Sequence, residues 1–175
     1  GGVDWIGPAA APATALTMTG LRIDSQAALV APVDGADAPA AAEGGSALGA
    51  GSDPGTDPDR GTGVRIVVPG SDDADVSVSV APEEGTDGTG TTFTVQADAG
   101  RTIDVPVADL PDGRYSVTVQ SSVPVTAAVR SVSGAAESGA TDFAWLPSAE
   151  ALTRDALVSV PAGPAPLLHL RNAGD

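Results

Sequence analysis

Apolar and polar residues alternate along much of this chain with a period of two. Val76-Ser77-Val78-Ser79-Val80 alternates strictly, as do Thr92-Phe93-Thr94-Val95, Ile103-Asp104-Val105-Pro106-Val107 and Tyr115-Ser116-Val117-Thr118-Val119, with Ser, Thr or Asp at the polar positions. Successive side chains of a strand point to opposite faces, so each run predicts a half-buried strand. Apolar runs at 15–23, 27–33, 64–68, 125–132, 157–160 and 167–170, bounded by Gly, Pro, Asp or Ser, predict further strands. One helical turn is predicted around Ser148 to Thr153, with Ser148 as cap and Glu150 near the helix start. Short strands about ten residues apart, separated by turns rich in Gly and Pro, predict an all-β fold. The specific expectation is an antiparallel immunoglobulin-like β-sandwich with repeated β units.

Leu110-Pro111-Asp112-Gly113-Arg114-Tyr115 leads into one alternating run and has the pattern of a tyrosine corner, a turn followed by a Tyr whose hydroxyl bonds back to the turn backbone. The alternative is a tight Asp-Gly turn with Tyr115 as a core aromatic; Tyr115 is structural in both cases. Residues 34–62 offer Leu48 as their one large apolar side chain. Such a stretch cannot offset its ordering entropy and is expected to form a long flexible loop.

The two tryptophan neighbourhoods, Asp4-Trp5-Ile6-Gly7-Pro8 and Asp142-Phe143-Ala144-Trp145-Leu146-Pro147, are each followed by a valine-containing run. Val64-Arg65-Ile66-Val67-Val68 then corresponds to Leu167-Leu168-His169-Leu170-Arg171. These correspondences divide the chain into the end of one repeat and first strands (1–33), the loop (34–62), a main β-sandwich (64–147) and the start of a further repeat (148–175), as in a piece of a longer protein. The alternative is chance similarity in a sequence of low diversity.

Composition narrows the function. Eight basic residues against 23 acidic ones give a net charge of −15, and there is no lysine. Nucleic-acid binding needs clustered basic side chains, and an anionic lipid surface would be repelled, so neither partner is expected. No run approaches the roughly 20 apolar residues of a membrane span, and membrane insertion is not expected. The chain has no cysteine, which removes disulfides and thiolate chemistry together.

The run from Gly113 to Arg130, with Tyr115, Ser122-Val123-Pro124-Val125 and Ala128-Val129-Arg130, followed by Phe143-Ala144-Trp145-Leu146-Pro147, resembles an actinobacterial domain family of unknown function often labelled large secreted protein. In that family a Tyr-bearing strand, a Ser-x-x-Pro-Val turn, an Ala-Val-Arg strand and an aromatic-Ala-Trp-Leu-Pro segment recur. The likeness covers residues 64–175. It implies a secreted or envelope-anchored β protein and assigns no activity.

Candidate chemistry is sparse. His169 is the single histidine, set between Leu168 and Leu170, and a Ser-His-Asp triad would need a distant Ser brought to it. Gly85-Thr86-Asp87-Gly88-Thr89-Gly90 opens no helix and reads as a hairpin loop, not a phosphate cradle. Oxygen ligands suffice for calcium, and Asp72, Asp73 and Asp75 in a turn are the candidate metal set, with Asp53, Asp57 and Asp59 as a second cluster. Glycan binding calls for aromatic platforms, and Trp145 with Phe143 is the candidate ligand surface, although their alternation in a strand favours burial. The expectation is a non-catalytic secreted or cell-envelope module with a structural or protein-interaction role, without a cofactor. The alternative is a ligand-binding module for calcium or cell-wall carbohydrate, its partner an envelope protein or glycan.

Overall fold

The computed structural model describes residues 11–24, 61–135, 140–150, 162–163 and 167–172. Within them lie seven strands, β1 (Ala13–Ile23), β2 (Gly63–Val67), β3 (Ala74–Pro82), β4 (Thr91–Ala97), β5 (Thr102–Pro106), β6 (Gly113–Ala135) and β7 (Ala140–Pro147). All the ladders are antiparallel, and no helix occurs among the described residues. The predicted strands at 27–33 and 157–160, the 34–60 part of the predicted loop, Trp5 and the cluster Asp53, Asp57 and Asp59 lie outside the described residues.

Strand β6 organises the sheet. Its first half pairs with β1 and β3, and its second half with β2 and β7. Strand β4 then pairs with β3, and β5 with β2. The result is a strongly curled half-barrel, in which one strand belongs to both half-sheets. The all-β antiparallel expectation holds, and an immunoglobulin-like sandwich of two separate sheets is not confirmed by this arrangement. The corner comes from unequal chain lengths: from Val67 to Val76 the chain advances nine residues while β6 advances five, from Ser121 to Thr126. The surplus bulges outward and lets the sheet fold over, as strands do when they pass from one sheet to another. Val68 N donates to Arg101 O at 3.0 Å, Gly100 N to Val68 O at 2.9 Å and Ala99 N to Asp73 Oδ1 at 2.9 Å, which fixes the corner.

The sequence reading splits β6 at Pro124, and the structure does not. Proline lacks an N–H and is excluded from the interior of a paired ladder. Pro124 falls where the ladder to β3 has ended at Ser121 and that to β2 has yet to begin at Thr126, so no donor is missed. The buried apolar residues of β6 are Tyr115, Val117, Val119, Val125, Ala127 and Val129, every one at an odd position, so the apolar inner face keeps its parity through the bend. Strands β2 and β3 do the same with Val64, Ile66, Ala74, Val76, Val78 and Val80. Eleven of the nineteen buried apolar residues named in the core are valine. Stiff β-branched side chains pack well on pleated strands, which is how a chain poor in Leu, Ile and Phe still closes a core.

Strand β1 changes parity partway along, with Leu16 and Met18 buried on one side of the change and Leu21 on the other. Met18 faces Val117 and Leu21 faces Tyr115, so one extra residue is accommodated as a bulge. Gly20 supplies it with φ of +81°, a region that side chains with a Cβ rarely adopt. The tyrosine corner is present: Tyr115 is fully buried and its hydroxyl donates to Pro111 O at 2.8 Å. The helical turn begun at Ser148 is absent over Ser148–Glu150, where Ala149 N instead donates to Thr17 O at 3.0 Å. Leu167–Leu170 forms no ladder.

Two outcomes follow. Gly20→Ala is expected to destabilise the chain by about 1–2 kcal/mol, the cost of a left-handed non-glycine residue, and urea melts measure it. Burial, and secondarily Asp112, raises the Tyr115 phenol above its ordinary value near 10. The unfolded chain therefore loses this proton first, so the contribution of Tyr115 to stability is constant below about pH 10 and is lost as pH rises through the folded value. Tyr115 is the single tyrosine, so its phenolate absorbance reads the titration directly, and Tyr115→Phe is expected to remove this part of the alkaline loss.

Candidate functional site

The outer face of the second half-sheet carries the most distinctive grouping of side chains. Register sets Arg65 on β2 directly opposite Asp104 on β5. Arg65 donates from Nε to Asp104 Oδ1 and from Nη2 to Asp104 Oδ2, both at 2.8 Å, a two-pronged pair that orients the guanidinium. On β6, Arg130 donates from Nε to Gly61 O at 2.8 Å and stands opposite Trp145 on β7. The Arg65 and Arg130 guanidinium carbons lie 5.0 and 5.9 Å from the Trp145 ring centroid. Both are within the range at which a cation is attracted to an indole.

Phe143 is two residues from Trp145 on the same face of β7, opposite Val132, and is 60% exposed. This overturns the expected burial for Phe143, while Trp145 is half-buried. Leu146 and not Trp145 packs on the core, because β7 pairs in the register that sets Leu146 beside the buried Val129 and Trp145 beside Arg130. The outcome is a surface of indole, phenyl and guanidinium groups on an acidic chain, suited to contact and recognition. Trp and Arg are the residues most enriched where protein surfaces bind. Sequence reading found both aromatics and missed Arg65, Asp104 and Arg130. Their signal was position: each occupies an outward place in a period-two run, beside Val64 and Ile66, Ile103 and Val105, or Val129.

The three candidate calcium ligands are engaged separately. Asp72 is exposed in the β2–β3 connection, Asp73 accepts the Ala99 N–H at the corner, and Asp75 Oδ1 accepts from Gln96 Nε2 at 3.0 Å. Among the described residues no group of three or more His, Asp or Glu side chains is arranged to hold a metal ion. A shallow open groove beside Asp75 is lined by Ser77, Thr94, Gln96 and Gln120 together with Val76 and Val95.

His169 donates from Nδ1 to Glu83 Oε2 at 2.6 Å, since a carboxylate only accepts, and Glu83 Oε1 accepts from Gly20 N at 3.1 Å. Arg171 donates from Nη1 to Ser116 Oγ. His169 and Arg171 thus turn toward the sheet, while Leu168 and Leu170 are exposed. Glu83, just past the end of β3, thus joins the β1 bulge to His169. In the correspondence between 64–68 and 167–171, His169 and Arg171 fall at the places of the buried Ile66 and Val68.

A search of curated proteins finds no match. Among solved structures, the crystal structure of Thermotoga maritima 1070 is similar at 12% identity and a TM-score of 0.40, over 49% of this chain and 73% of that one. The Anabaena sensory rhodopsin transducer is similar at 25% identity and a TM-score of 0.33, over 39% of this chain and 69% of the other. Likeness at these scores is too slight to carry an argument. A sequence-family model does match, over the whole of residues 1–175, and by it the chain belongs to a family of unknown function, DUF5719.

Proposed function

We propose that this chain is a non-catalytic β module of a secreted or cell-envelope protein, with a structural or protein-interaction role, and that it makes contact through the face bearing Trp145, Phe143, Arg65 and Arg130. The observation that carries this reading is the outward placement of Phe143 and Trp145 on a sheet face braced by two arginines. A large aromatic on a surface costs solvation that burial against a partner recovers, and adjacent guanidinium groups give that burial direction. The support for placement outside the cell is the likeness of residues 64–175 to secreted actinobacterial proteins. A cell-wall glycan is the second reading, favoured by the same two rings, which stand two residues apart on one strand face and present apolar surface for sugar rings.

The test compares the wild-type chain with Trp145→Ala, Phe143→Ala and Arg65→Ala for retention on immobilised envelope protein and on a panel of soluble cell-wall glycans, with melting curves for each variant. Loss of a central aromatic anchor is expected to weaken binding about tenfold or more, with the melt changed little. A glycan that binds should also raise the melting temperature by mass action. Binding that survives all three substitutions would sink the assignment of this face. A melting shift with calcium that Asp73→Asn abolishes would move the site to the corner.

A further inference from the structure

Strand β4 ends the first half-sheet, and among the described residues it pairs only with β3. Among these residues its outer edge presents backbone N–H and C=O groups with no ladder, the arrangement that recruits another strand. Proteins guard such edges with charge, proline or bulges, and β5, the edge of the other half-sheet, carries Asp104 and Pro106. Strand β4 is Thr91-Thr92-Phe93-Thr94-Val95-Gln96-Ala97, without a charge, a proline or a glycine. Phe93 and Val95 pack against the core from this edge but remain half-buried, so a strand laid alongside would cover them.

We propose that β4 is the seam of a two-fold dimer, pairing antiparallel with its own copy about Thr94. This register is self-complementary, as a two-fold contact must be. Phe93 meets the partner's Val95 on the inner face, an aromatic against a β-branched residue, which is a favourable cross-strand pair. On the outer face Thr92 meets the partner's Gln96 and Thr94 meets the partner's Thr94. Just past the strand end, Asp98 falls opposite the partner's Gly90. No carboxylate opposes a carboxylate, which matters because each copy carries −15 and two copies repel wherever acidic surfaces meet. The seam makes the half-sheet β1-β6-β3-β4 continuous across the axis and leaves the Trp145 face unobstructed on the other half-sheet. A seam of seven residues is short, and the dimer is a weak one.

Sedimentation of the wild-type chain over a wide concentration range is expected to show a reversible monomer–dimer equilibrium. Thr94→Lys sets like charges across the axis and should weaken dimerisation roughly fivefold. An equal mixture of Thr94→Lys and Thr94→Glu should restore it, which a merely misfolded variant would not do. The absence of native cysteine allows a second measurement. Thr94→Cys should oxidise readily to a linked dimer, while the equally exposed Thr92→Cys, whose partner is Gln96 in this register, should not. A wild-type chain that stays monomeric at all concentrations overturns the proposal and leaves the edge to an extended segment of another protein. Equal linking at positions 92 and 94, or a dimer indifferent to Thr94→Lys, overturns it too.

Discussion

The structure depends on one strand keeping its alternation through a bend. β6 supplies a ladder to each of four other strands, and the corner lies between the ladders that β3 and β2 make with it. Because side chains alternate with a period of two, an odd number of extra residues in β6 would turn Val125, Ala127 and Val129 outward. The length mismatch falls in the connection between β2 and β3, in the bulge at Gly20 and in the shift between Ala13 and Ala15, where β1 advances two residues while β6 advances five. Asp73 and Tyr115 act at these places of adjustment: the first holds the corner to the Asp98–Arg101 turn, the second ties the entry of β6 to Pro111.

Much of this was legible in the chain. Each strict alternation became a strand, three of them within a few residues of their predicted limits and the fourth, Tyr115–Val119, as the opening of the longer β6, because a half-buried strand imposes its own period. The tyrosine corner was readable because all its parts lie within six consecutive residues. Pro124 misled, since whether a proline breaks a strand depends on which neighbours need its missing donor, and those neighbours lie far away in sequence. Leu167–Leu170 misled in another way: its apolar residues are as strand-like as Val64–Val68, yet nothing pairs with them.

The candidate site was half legible. Phe143 and Trp145 were recognised as sharing a face, but the direction of that face is set by the pairing of Val129 with Leu146, a long-range register that no local pattern encodes. The arginines that flank Trp145 come from two other strands. Their convergence depends on the order β5-β2-β6-β7, which joins residues more than sixty positions apart. Charge alone pointed away from them, since an overall excess of acid conceals a local pair of cations. Of the carboxylates read as ligands, Asp73 accepts a backbone N–H and Asp75 a neighbouring amide N–H, as polar side chains at bends commonly do.

The order of strands also determines where the chain tolerates changes of length. Consecutive strands β1 and β2 are not neighbours: β1 lies along the first half of β6 and β2 along the second, with forty positions between Ile23 and Gly63. The pairing of the described strands imposes no particular span on the chain between them, and by loop-closure entropy alone each doubling of such a span costs only about 0.6 kcal/mol. The ladders that β1 and β2 make with β6 do not depend on the number of residues between them. One residue added to β6 between its two sets of ladders would reverse the facing of half the sheet. Two segments of the same chain thus differ sharply in their freedom to vary, and neither their hydropathy nor their composition reveals it.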